Sequence, residues 1–374
     1  MSKKLLGIIA LLLTASLIAA CGSGDANNGS GSKIVEIGTT TKATQQTTKE
    51  TTTQKETETT AIVREGELNL LTGEYDLPKS AVGKRPVGVS VNNEYAAMPQ
   101  YGVSDADIIY EMVKEVGCTR FLAVYSDYQN LPDVCAIRSY RYYFAPLICG
   151  LDAIYVHWGE DQTMMDYYWS LNMTTYDAMY GYDRIFGRDQ DRISRGYGLE
   201  HASVFYGTNF KEQAEGDGVR LDLDEQHAGK TVFNFAAPEE TITPDGEEVD
   251  ELTIYFGSQN SYFEYNESTG TYYQTINSFP QTDDHTGIQL NYRNLFILET
   301  QVGMRDDGMH RYVDWQGENY DGWYVSNGRA QRIKWTKEDE YSPIEIFDLN
   351  GKELTVNAGK SYVTMVNPDM HTLG

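Results

Sequence analysis

Apolar positions follow three different patterns along the chain. Residues 5–20 are almost continuously apolar, broken only by Thr14 and Ser16, residues 22–65 hold few apolar positions, and beyond residue 66 short apolar runs return between turn residues. In the stretch 66–229 these runs are continuous rather than alternating. Residues 87–91, after Arg85-Pro86, predict a buried strand, and 108–116 with 119–126 around Gly117 predict a hairpin in preference to a helix capped at Ser104. Helical spacing over 139–149, stopped at Gly150, is followed by the strand-length run Asp152-Ala153-Ile154-Tyr155-Val156-His157 and by a second helix over 162–171. Strand, helix and strand in succession predict an α/β sheet covered by helices. Residues 172–199 are polar and rich in Gly, Arg and Asp, and predict a long loop.

From about residue 231 the pattern becomes that of antiparallel sheet. Segments 252–256, 262–265 and 272–276 alternate or are rich in β-formers, and Asn327-Gly328 and Asn350-Gly351 each sit between strand-like runs, which predicts two hairpins. The expected fold class is α+β or α/β. A mixed α/β amino-terminal domain over 66–229 precedes a mainly antiparallel β carboxy-terminal domain over 230–374.

The amino terminus predicts an address. Lys3-Lys4, the apolar run and Ala19-Ala20-Cys21 have the order of an export signal ending in a lipobox, so residues 1–20 read as a lipoprotein signal peptide and Cys21 as the acylated first residue of the mature chain. As a helix the apolar run would span roughly 24 Å, short of a hydrocarbon core of roughly 30 Å. Attached acyl chains, each contributing about 0.8 kcal/mol per buried methylene, would make the membrane a partner through Cys21. Twelve of the 22 residues 39–60 are Thr, a composition unable to bury enough apolar surface to fold, so 21–65 reads as a disordered tether reaching roughly 35 to 40 Å as a coil. The expected location is the extracytoplasmic face of a cell membrane, with cell-wall material or envelope proteins within reach.

A formal charge of -25 excludes nucleic acid as a partner. The chain has 28 tyrosines, which suit half-buried sheet faces or exposed ligand platforms. Cys118, Cys135 and Cys149 match neither a redox pair nor a zinc knuckle and read as buried free thiols, their disulfide state left open. No H-E-x-x-H, G-x-S-x-G, Walker, EF-hand or S-x-x-K motif occurs, so no metal and no cofactor is expected. Arg138-Ser139-Tyr140-Arg141 at the start of the expected helix would set two guanidiniums on one face, a combination suited to phosphate or carboxylate, unless both pair with nearby acids. His157 at the carboxy end of a strand, with Glu200-His201 further on, supplies imidazoles for acid/base work or ligand contact, although a histidine beside Trp158 is more often a hydrogen-bonded structural residue.

Several of these stretches together resemble a family. Arg85-Pro86-Val87-Gly88-Val89, the run from Pro99-Gln100-Tyr101-Gly102-Val103 through Ser104-Asp105-Ala106-Asp107-Ile108 to Ile109-Tyr110-Glu111, then Thr119-Arg120-Phe121-Leu122-Ala123, Arg138-Ser139-Tyr140-Arg141 and Tyr155-Val156-His157 are similar to the YerB-like lipoproteins, with a looser match at Ile333-Lys334-Trp335-Thr336-Lys337 and Asn357-Ala358-Gly359-Lys360-Ser361. The resemblance implies a lipid anchor and two modules, and supplies no activity. The chain departs from the family pattern at Asn69-Leu70-Leu71-Thr72-Gly73 and at Leu199-Glu200-His201-Ala202. The expected function is a non-enzymatic envelope accessory or binding protein with an anion-binding or docking cleft. A hydrolase or transferase of an anionic wall substrate and a solute-binding lipoprotein are the alternatives.

Overall fold

The computed structural model describes residues 64–374. The expected signal peptide, Cys21 and nearly all of the expected tether lie outside the described residues. Among the described residues no helix is long and apolar enough to cross a membrane.

The continuous apolar runs form strands buried on both faces: β1 (Val87–Asn92), β2 (Ile108–Val113), β3 (Thr119–Tyr125) and β4 (Ile154–His157). A short β5 (Thr175–Asp177) pairs in parallel with β4. β2 and β3 form the expected hairpin, with Gly117 at φ 71° in its turn. The second half supplies β6 (Glu247–Glu248), β7 (Glu251–Tyr255), β8 (Asn260–Asn266), β9 (Thr271–Ile276), β10 (Asn294–Glu299), β11 (Gly317–Ser326), β12 (Arg329–Lys337), β13 (Glu345–Phe347), β14 (Ser361–Val366) and β15 (His371–Leu373).

One mixed sheet of eleven strands crosses both halves in the order β6-β12-β11-β10-β14-β2-β3-β1-β4-β5, with β13 beside β12. Its joint is β14, which runs parallel to β10 on one side and to β2 on the other. A second sheet is built round the β7-β8-β9 meander with β15 on its edge. Its inward residues alternate, so that Leu252, Ile254 and Phe263 are buried while neighbours face water. Phe263 and Tyr292 pack on Tyr362 of β14, with ring centroids 4.6 and 5.4 Å apart.

The α/β expectation for the first half holds only in part. The sheet is present, but its helices are short: α1 (Ala145–Cys149), α2 (Met165–Ser170), α3 (Gln190–Ser194) and α4 (Phe210–Asp217). The helix expected over 139–149 is reduced to α1 and a single 3-10 turn, Tyr142–Phe144. Pro146 explains the shortening, since without an N–H and with its ring against the preceding turn it is tolerated only where a helix begins. The second half is β, as expected. Asn327-Gly328 closes the β11–β12 hairpin, whereas Asn350-Gly351 makes a turn whose arms separate after the single bridge Phe347–Glu353. β13 joins β12, and Thr355–Val356 pairs instead with Asn234–Phe235.

Candidate functional site

β1 and β4 are parallel neighbours that part after Val89 and Val156, and residues 137–140 enter the gap between their carboxy ends. Val91 bridges Ile137, Arg138 N–H donates to Ser90 carbonyl (2.9 Å), Trp158 N–H donates to Arg138 carbonyl (3.0 Å), and Tyr140 N–H donates to Gly159 carbonyl (2.9 Å). Arg138, Ser139 and Arg141 therefore lie on extended backbone and not on one helical face, with Arg141 at φ -131° and ψ 136°. The anion arrangement expected from a helix start is corrected accordingly.

Strand register brings other groups to the same place. Asn92 of β1 faces Arg120 of β3, and the period of two puts Ser90, Asn92, Arg120, Tyr155 and His157 on one face of the sheet. Arg120 is fully buried, donates from Nη1 to Ser139 carbonyl (2.8 Å), and pairs with no acid. Burial lowers its pKa to about 9, helped by the nearby positive charges of Arg141 and Arg138. Arg188 lies 3.9 Å over the Trp158 ring, donates to Leu199 carbonyl (2.7 Å), and is pushed down by burial and by Arg138. Among the described residues Arg120, Arg138 and Arg188 form no ion pair. Arg141 does, its guanidinium gripping Glu115 at 2.8 and 3.1 Å, so for this arginine pairing with an acid prevails.

The recess also holds buried polar atoms without partners: Arg120 Nε, Arg138 Nε, Tyr140 Oη, Tyr155 Oη and Asp177 Oδ2. Buried polar groups are ordinarily satisfied by protein, water or ligand, so a concentration of orphans marks a place where something else belongs. Half-buried Arg138, Ser139, Trp158 and Arg188 form its solvent side.

His157 is fully buried. Nδ1 donates to Gly159 carbonyl (3.0 Å), Nε2 accepts from Tyr168 hydroxyl (3.1 Å), and Asp177 Oδ2 lies 3.7 Å from Nδ1. Burial lowers its pKa, so the ring is neutral and both nitrogens are engaged. His201 borders the same face through Asn92, whose Nδ2 donates to its Nδ1 (3.1 Å), with exposed Glu200 3.6 Å from Nε2. The histidines make no hydrogen bond to each other and share no carboxylate. Asp152, Asp224 and His227 are close enough to hold a cation, but Asp152 is occupied by Arg220 at 2.5 and 2.6 Å and by Arg85 at 3.3 Å. Two guanidiniums on the central ligand make this an ion-pair network and a poor fit to a metal.

Sequence reasoning missed Arg120 and Arg188. A charge directly before the apolar run Phe121-Leu122-Ala123-Val124 was a legible signal for Arg120 as a residue, whereas Arg188 sits in an arginine-rich loop and carried none.

The fold and this cluster together define a two-module, mixed-sheet protein in which one buried and two half-buried guanidiniums gather without acid partners among the described residues. Residues 71–220 match the family model "Protein of unknown function (DUF3048) N-terminal domain" and residues 252–363 the corresponding C-terminal domain. The chain belongs to this YerB-like family. "Putative lipoprotein YerB" of Bacillus subtilis (strain 168) is 26% identical over 299 residues, covering 77% of this chain and 82% of the relative. The crystal structure of YerB protein from Bacillus subtilis is similar to this fold with a TM-score of 0.68 at 25% identity, covering 81% of this chain and 98% of that one.

Proposed function

We propose that the chain is a lipid-anchored extracytoplasmic protein that binds an anionic ligand, a carboxylate or phosphate, between Arg120, Arg138 and Arg188, and performs no chemistry on it. The carrying observation is three guanidiniums without acid partners among the described residues, in a chain of charge -25, two of them with an Nε that makes no hydrogen bond, beside the equally unpartnered hydroxyls of Tyr140 and Tyr155. Guanidiniums match the forked geometry of phosphate and carboxylate oxygens. Binding is favoured over hydrolysis or transfer because His157 is enclosed with both ring nitrogens engaged, and His201 shares no carboxylate with it. Cys21 supplies the anchor, the name of the Bacillus relative is consistent with it, and wall fragments or acidic groups of envelope proteins are the ligands within reach.

Calorimetry with inorganic phosphate, citrate and soluble anionic wall fragments tests the reading. Arg138→Ala should weaken binding at least tenfold, and Arg141→Ala less than threefold because its charge is already used by Glu115. Absence of binding by all three probes, or equal loss in both variants, refutes it. Mass spectrometry of the mature protein should find the Cys21 amino terminus acylated; an unmodified start removes the anchor.

A further inference from the structure

Away from the arginine recess, a cavity of about 630 Å³ lies between segments 67–86, 223–234 and 343–354. Its walls are mainly aliphatic. Leu68, Leu70, Leu223, Val232 and Leu354 each remain half-buried there although they converge from three distant parts of the chain. Buried Leu71, Leu77 and Ile344 complete the lining. Protein interiors otherwise pack to crystal density, and a space of this size lies within the roughly 300 to 1,000 Å³ of small-molecule sites. Aliphatic walls give water few partners, so filling the space with water is poor compensation. Polar groups line part of it as well: exposed Glu67, Glu345 and Glu353, Lys84 paired with Asp222 at 2.5 Å, His227 held by Asp224 at 2.6 Å, and Lys230, on an exposed stretch with no acid partner among the described residues.

From this geometry we infer a second binding site, for a single unbranched acyl chain bearing a small polar head. The aliphatic part of the cleft takes the chain, and the head faces the Lys230 side. Aliphatic side chains with little aromatic surface favour a flexible chain over a flat ring system. Free fatty acids and monoacyl glycerophospholipids share this chemistry, and both occur at a membrane surface. The site uses none of the residues of the arginine recess and stands without that reading.

The full chain carrying Cys21→Ser, so that no lipid of its own is attached, would be titrated with laurate, myristate, palmitate and a palmitoyl lysophospholipid, each below its micelle concentration. One-to-one binding is expected, strengthening by about threefold to fourfold per methylene, as burial of each methylene requires. Leu354→Trp and Val232→Trp, which fill the space from two neighbouring segments, should each weaken palmitate at least tenfold while leaving phosphate binding unchanged. Binding by palmitate alone assigns the free acid, and binding by the lysophospholipid alone assigns the membrane lipid. No binding by any chain, no dependence on length, or undiminished binding in whichever Trp variants fold overturns the proposal. The length series on the Cys21→Ser chain decides the matter even if neither Trp variant folds.

Discussion

Replacing Glu111 with alanine should separate the two sheets energetically. Its carboxylate is fully buried in β2 and accepts five hydrogen bonds, from Asn93 Nδ2 (2.9 Å), Thr119 Oγ1 (2.6 Å), Ser261 Oγ (2.8 Å), Gln274 Nε2 (3.0 Å) and Tyr362 Oη (2.9 Å). Three of those donors belong to the second half of the chain, so one side chain ties β2, β8, β9 and β14 together. Burial raises its pKa while the donors pull it back. Each donor left unpaired in a dry site costs about 1 to 3 kcal/mol, but the hydroxyls and amides can partly re-pair, so the sum overstates the loss. About 4 to 5 kcal/mol is the figure expected for stranding these donors once re-pairing is allowed for, out of a total stability of about 5 to 15 kcal/mol. Glu111→Gln keeps the shape but turns one acceptor into a donor facing donors, and should lose about 2 to 4 kcal/mol. Urea unfolding followed by tryptophan fluorescence and far-ultraviolet circular dichroism measures both. A loss below about 1 kcal/mol for Glu111→Ala would show that the network contributes nothing net, and the reasoning about buried donors would fall.

Other outcomes follow from the same kind of reasoning. His157 and His371 are held below the ordinary 6.5 by burial. The folded rings stay neutral while the unfolded rings take protons, so stability is present above pH 6.5 and declines as pH falls below it. His157→Gln should flatten the decline between pH 6.5 and 5 in urea titrations, and an unchanged slope would count against a buried neutral ring. Asp152→Asn weakens a carboxylate shared by Arg85 and Arg220; Arg85, nearly enclosed, is left short of an anion, and a loss of about 2 to 3 kcal/mol is expected, read as a lower melting temperature. Gly102→Ala should cost more than about 1 kcal/mol, because φ is 81° and a Cβ would sit 2.3 Å from Asp133 carbonyl oxygen; a neutral substitution would show that the turn relaxes freely.

Much of the fold was legible because burial on both faces leaves unbroken apolar runs, as in β1 to β4, and because alternation marks a sheet with one wet face, as in β7 and β9. The helix at 139–149 failed for a local reason: Pro146 permits a start, not an interior position. Asn350-Gly351 failed for a non-local one, since its turn formed while Thr355–Val356 found a different partner in Asn234–Phe235. At the site, Arg138 and Ser139 were legible as residue types but not as geometry, and Arg141 was lost to Glu115, 26 positions earlier. Arg120 reaches the recess only through the pairing of β3 with β1. No local pattern encodes that register.

The position of β14 also bears on how the molecule is made. Thr364 bonds the carbonyl of Glu111 across 253 positions of sequence, so β2 waits with one rim bare until nearly everything after it has been synthesised. A nascent chain would hold that rim open to pairing with a neighbouring copy. Chaperones that cover unpaired strand edges would then have their strongest claim on this protein in the interval before residues 361–366 emerge.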